Sequence, residues 1–194
     1  MVQIVLIRPG STDYDEQGRI QGTLDIPLND QGLRDVERLI DAVRALGIET
    51  VYCGPGQSAC QTAAAICEAL DLKLKKLDTL QNIDHGLWQG MLIEEVKRKQ
   101  PKVYRQWQEQ PEIICPPEGE MLSEAQLRVQ TAMAKLLKKY KQGTIALVVP
   151  EPLASLVLGF VSNCEIGDLW KGGSACGKWE VISLEPQSVA PAES

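Results

Sequence analysis

Residues 2–32 read VQIVLIRPGSTDYDEQGRIQGTLDIPLNDQG. The stretch opens with a short apolar run, Val2 to Ile7, and breaks at Arg8-Pro9-Gly10. An apolar run of that length, bounded by turn residues, is the pattern of a strand covered on both faces and central in a parallel sheet. Folds of that kind place their chemistry on the loops that leave the carboxyl ends of the strands. The candidate site therefore begins at Arg8 and Pro9.

Beyond this stretch, strand and helix patterns alternate. Asn29 or Asp30 can cap a helix over residues 29–46, with Leu33, Val36, Ile40 and Val43 on one stripe and Gly47 behind it. Thr50 to Cys53 reads as a short strand, Gly54-Pro55-Gly56 as a turn, and Ser58 to Leu70 as a second helix. Leu72, Leu74 and Leu77 lie in a lysine-studded run that suits an exposed strand. Residues 80–118 read as a cap-like insertion with two short helical stretches, the second opened by Pro101. Residues 121–141 carry the clearest helical stripe, Leu122, Ala125, Val129, Met133, Leu136 and Tyr140. Lysines crowd its end, as the helix dipole favours. Thr144 to Val149 is a second buried strand and, like the first, stops at a proline, Pro150. Pro152 opens a helix to about Val161, and Lys178 to Leu184 is the last strand. The expectation is a three-layer α/β/α sandwich on a mostly parallel sheet, one domain over residues 1–184. The Pro/Ser/Ala-rich 185–194 segment reads as a disordered tail.

Composition excludes several classes of function. The 194 residues suit one full core. A net charge of −6 argues against a nucleic-acid partner, since such binding neutralises phosphates with Lys and Arg. No apolar run approaches the roughly 20 residues that span a bilayer, and MVQIVLIRPG lacks the basic region and cleavage site of a signal peptide. No membrane partner and a cytoplasmic location are expected. Cys53, Cys60, Cys67, Cys115, Cys164 and Cys176 form no CxxC pair, and His85 is the single histidine. Neither a metal nor a cofactor is expected, and the cysteines read as buried thiols. Trp88, Trp107 and Trp170 read as core or cap filling.

Five motifs in register point further. Gly18-Arg19-Ile20-Gln21-Gly22, with Asp25-Ile26-Pro27-Leu28-Asn29 and Gly32, is followed by Ala59-Cys60-Gln61-Thr62-Ala63 and Gly86-Leu87-Trp88-Gln89-Gly90. Then come Pro116-Pro117-Glu118-Gly119-Glu120 with Arg128, and the strand from Thr144 to Pro150. Together they resemble the histidine phosphatase (phosphoglycerate mutase-like) superfamily over roughly residues 2–184. The resemblance implies a histidine that takes a phosphoryl group, two arginines and a second histidine that hold its oxygens, and a carboxylate that works as acid and base.

Carried over position by position, the resemblance leaves only Arg8 in place. Pro9 stands for the nucleophile, Ser58 for the second arginine, Asn82 for the acid/base glutamate and Pro150 for the second histidine. Proline offers no nucleophile or proton, asparagine does not titrate, and serine lacks the bidentate fork of a guanidinium. Arg8, Thr12, Gln21 and Gly22 remain as ligand-binding candidates. Asp15 and Glu151 add negative charge, and Arg8 is either a site cation or a buried arginine paired with Asp13, Asp15 or another carboxylate. His85 reads as a filler, and Arg19 and Arg128 as structural or rim residues. The leading expectation is a catalytically inactive member that binds an unknown small molecule or protein. The alternatives are a phosphatase or mutase-like enzyme with residual or repurposed chemistry, using Asp13, Asp15, Glu120 or a cysteine with or without a metal, and a structural subunit of a homodimer.

Overall fold

The computed structural model of the chain describes residues 1–111, 114–163 and 175–184. Cys164, Trp170 and the 185–194 tail lie outside the described residues.

The opening run forms strand β1 (Val2–Ile7), whose period-2 geometry turns Ile4 and Leu6 to one face and Val5 and Ile7 to the other. All four are fully buried, which is why Ile4 to Ile7 are apolar without a break instead of alternating, while the half-buried Gln3 is polar. Four more strands complete the sheet: β2 (Ile48–Cys53), β3 (Lys73–Lys76), β4 (Gly143–Val148) and β5 (Trp179–Leu184). Their order is β3-β2-β4-β1-β5. Every pairing is parallel except β1 with β5. One helical layer, α2 (Asp30–Val43) and α3 (Gln57–Leu70), covers Val5, Ile7, Val51 and Val148. The other, α6 (Leu122–Lys139) and α7 (Leu153–Ser162), covers Ile4, Leu6, Tyr52 and Leu147. The chain is a three-layer α/β/α sandwich on a mostly parallel sheet. Among the described residues no helix is long and apolar enough to cross a membrane.

The structure corrects the first helical stripe. Leu33 is 55% exposed, whereas Gly32, Val36, Leu39 and Val43 are buried. The inward place in the first turn belongs to Gly32, because the backbone of Ser11 packs there: a Cβ on Gly32 would lie 2.1 Å from the Ser11 carbonyl oxygen. Asn29 caps this helix through its Oδ1, which accepts from the Gly32 N–H at 2.8 Å. A short helix, α1 (Asp13–Gln17), is absent from the sequence expectations; it is capped by Thr12 and Asp15, whose side chains each meet the other's backbone N–H.

Between β3 and α6 lie two single 3-10 turns, Asp78–Leu80 and Gly86–Trp88, and two short helices, α4 (Ile93–Lys99) and α5 (Pro101–Glu109). Trp88 and Trp107 are buried in the core beneath α6, their rings edge to face at 5.9 Å, as their reading as core residues expects.

Candidate functional site

Parallel register brings the carboxyl ends of three strands together. Ile7 pairs with Val148, and Val148 with Cys53. The residues that follow, Arg8-Pro9, Val149-Pro150 and Gly54, therefore emerge side by side at one end of the sheet. The loop after β1 is pinned closely, since a Cβ on Gly10 would lie 2.3 Å from the Gly32 carbonyl oxygen.

A cavity of about 80 Å³ opens there, lined by Arg8, Pro9, Asp15, Arg19, Gln21, Gly22, Ser58, His85, Pro150, Glu151 and Cys176 among others. An adjoining space of about 210 Å³ shares Gln21, Gly22, Ser58 and Pro150 and adds Asp25 and Asn82. Pro9, Ser58, Pro150 and Arg8 thus meet on one cavity, with Asn82 on the neighbouring one. Thr12 is on neither. It is buried at the start of α1, where its hydroxyl donates to Asp15 at 2.7 Å.

Arg8 is the pivot of the cavity. Its Nε donates to Glu151 Oε1 at 3.0 Å and its Nη1 to Glu180 Oε1. The second Glu151 oxygen accepts from the Ser155 backbone N–H at 3.1 Å and hydroxyl at 2.7 Å, so the N-terminal turn of α7 holds this carboxylate. Burial works against the Arg8 charge, but the bonds to Glu180 and Glu151 outweigh it and raise its pKa. Arg8 stays a cation whose partners are internal. Of the partners expected, Asp13, Asp15 or another carboxylate, the structure shows the last: Arg8 pairs with Glu151 and Glu180. Glu180 escaped the sequence reading although a signal was present: β5 alternates exposed and inward residues, and Glu180 occupies an inward place with Ile182 and Leu184. An inward carboxylate in an apolar alternation calls for a counter-charge.

The other candidates are held by the scaffold. Asn82 Nδ2 donates to the carbonyls of Gly22 at 3.2 Å and Glu151 at 3.0 Å, tying together two cavity loops. Those two carbonyls fix the orientation of the amide, and among the described residues its buried Oδ1 has no hydrogen-bond partner. Arg128 donates to Glu120 at 2.7 Å and to the carbonyls of Thr79 and Gln81, bracing the segment that carries Asn82. Arg19 donates to the Gly90 carbonyl at 2.7 Å. Arg19 also lines the cavity. His85 is buried against the Trp107 ring at 5.3 Å, and burial, opposed by the Asp84 charge, lowers its pKa to about 4. Burial and the nearby Asp15 push the Cys176 thiol up to about 12, which leaves it protonated and poorly nucleophilic.

A sequence model of the "Histidine phosphatase superfamily (branch 1)" matches residues 4–191. The chain belongs to that superfamily. Among its relatives, "Phosphoserine phosphatase 1" of Hydrogenobacter thermophilus is 29% identical over 186 residues, covering 95% of this chain and 88% of that protein. The "Uncharacterized phosphatase PhoE" of Bacillus subtilis is 29% identical over 149 residues, 76% of this chain and 71% of the relative. The structure of Bacillus stearothermophilus YhfR superposes with a TM-score of 0.83 at 20% identity, covering 95% of this chain and 92% of the other. A mycobacterial glucosyl-3-phosphoglycerate phosphatase in complex with VO3 superposes with a TM-score of 0.84 at 21% identity, covering 93% and 92%. At such identities the structural likeness speaks for the fold.

Proposed function

We propose that this member of the histidine phosphatase superfamily is catalytically silent and is retained as a binding or interaction module. The observation that carries the reading is the closed Arg8–Glu151–Glu180 cluster at the cavity that also holds Pro9, Ser58 and Pro150. A phosphoryl group in flight needs cations free to turn toward its oxygens. Arg8 is engaged by two carboxylates, and Asp15 adds a third anion to the same wall. No group at Pro9 can attack phosphorus, and Asn82 has no proton to cycle. Loss of a nucleophile from a cooperating set costs on the order of a millionfold in rate, about 8 kcal/mol of barrier. On this reading the occupant is a small molecule or a protein segment that approaches Arg8, Gln21 and Gly22, while Thr12 holds the loop behind them. The domain spans residues 1–184, with 80–118 as its cap.

The names of the relatives favour a second reading, a phosphatase or mutase-like enzyme with residual or repurposed chemistry. One experiment separates the two. Purified protein is assayed with p-nitrophenyl phosphate, phosphoserine and phosphoglycerates, and quenched samples are examined for an acid-labile phosphoenzyme. The silent reading expects neither turnover nor phosphoenzyme. Turnover that copurifies with the chain and falls on Arg8→Met establishes the second reading.

A further inference from the structure

The chain carries a net charge of −6, yet seven of its twelve lysines sit on two neighbouring elements. Lys73, Lys75 and Lys76 are on β3, and Lys135, Lys138, Lys139 and Lys141 are on or just after the last turns of α6. Among the described residues, no carboxylate lies within 4.0 Å of the charged end of any of them. Two known effects explain part of this. The helix dipole favours cations at the end of α6, and exposed lysines blunt a sheet edge against unwanted pairing.

Neither effect explains Lys75. It is half-buried while Lys73, Leu74 and Lys76 beside it are exposed. Its Nζ lies 5.6 Å from the centre of the Tyr52 ring, and Lys139 reaches the same ring at 5.9 Å and the Tyr140 ring at 5.5 Å. Two ammonium groups converge on one aromatic surface, and among the described residues neither has a carboxylate within 4.0 Å. Cation–π attraction offsets about 0.5–1 kcal/mol per exposed contact but neutralises nothing.

The hydroxyls add direction. Lys139 Nζ donates to Tyr52 Oη at 3.2 Å, and Tyr52 Oη and Tyr140 Oη are 2.9 Å apart. Either hydroxyl can donate to the other; in the arrangement where Tyr52 donates, the Tyr140 proton is left to donate onward. We propose that Lys75, Lys139, Tyr52 and Tyr140 form a second binding site, sharing no lining residue with the cavities at the strand ends, for a compact oxyanion carried as a phosphoryl or carboxylate group. The local field agrees. Burial acts to raise the Tyr140 pKa, but hydrogen bonds from Thr50 and Tyr52 and the charges of Lys75 and Lys139 bring it below the ordinary phenol range. Of these, the two ammonium charges would act on an added oxyanion as they act on the phenolate; the Tyr52 pKa, by contrast, is raised, chiefly by burial.

The test is a titration followed by amide NMR at low salt, with inorganic phosphate in one arm and a short oligoglutamate peptide in the other. Saturable shifts at residues 50–52, 74–76 and 139–141 are expected. Binding should weaken at least about tenfold in Lys75→Met/Lys139→Met, and measurably in Tyr140→Phe, which keeps the ring. Saturation by phosphate alone identifies a free phosphoryl ligand, and tighter saturation by the peptide identifies carboxylates of a partner chain; both support the site. Absence of saturable shifts in either arm, shifts confined to residues 8–12 and 150–152, or binding unchanged in the double lysine variant each overturn it.

Discussion

Removing the Arg8 guanidinium would leave Glu151 and Glu180 without their shared counter-charge. The Arg8 and Glu151 side chains are only 12% and 11% exposed, so Arg8→Met is expected to destabilise the chain by about 3 kcal/mol in urea unfolding. A loss below about 1 kcal/mol would mean that water screens the cluster as it does a surface pair. His85 makes a separate prediction. Its folded pKa of about 4 lies below the ordinary value of 6.5, so between those values the unfolded chain binds a proton that the folded chain refuses. Stability from this group is therefore complete above about pH 6.5 and declines as the pH falls toward 4, by on the order of 3 kcal/mol. Urea midpoints measured at both ends of that window should differ less in His85→Phe, which keeps an aromatic filler against Trp107. Equal pH dependence in the two proteins would remove His85 as the cause.

At the scale of elements, the sheet brings the strand ends together and side chains brace the loops around them. Arg128 on α6 links Glu120 to the carbonyls of Thr79 and Gln81, and Asn82 then ties Gly22 to Glu151. Arg128→Met is expected to cost about 1–3 kcal/mol, since it leaves two carbonyls and a carboxylate poorly satisfied. It should also speed amide hydrogen exchange at residues 79–82 while leaving β1 and β4 protected. Uniform acceleration across the sheet would show that the brace is not local. The sequence made a helix over residues 121–141 plain through its apolar period, which the structure bounds at Leu122–Lys139, and it misplaced the stripe of α2. There the inward residue of the first turn is a glycine, and a glycine leaves no hydrophobic mark to be read.

For the whole molecule, the charge layout yields the sharpest prediction. On the proposed reading, installing Pro9→His, Ser58→Arg, Asn82→Glu and Pro150→His together supplies the groups the resemblance implies but leaves Arg8 engaged by Glu151 and Glu180. Hydrolysis of p-nitrophenyl phosphate should stay near background in that variant and rise when Glu151→Gln and Glu180→Gln are added. Full activity without the last two changes would show that the carboxylates do not hold Arg8 back. What the sequence determined alone was the layered architecture, the strand ends that carry the site, and the identity of the residues at Pro9, Ser58, Asn82 and Pro150. These are local matters, because periodicity, turn residues and motif spacing are written along the chain. Only the tertiary structure decided the partners of Arg8, because Glu151 and Glu180 are 143 and 172 residues away along the chain. It likewise decided that Lys75 and Lys139 meet over Tyr52, since register and packing bring distant charges together and no linear pattern records that distance.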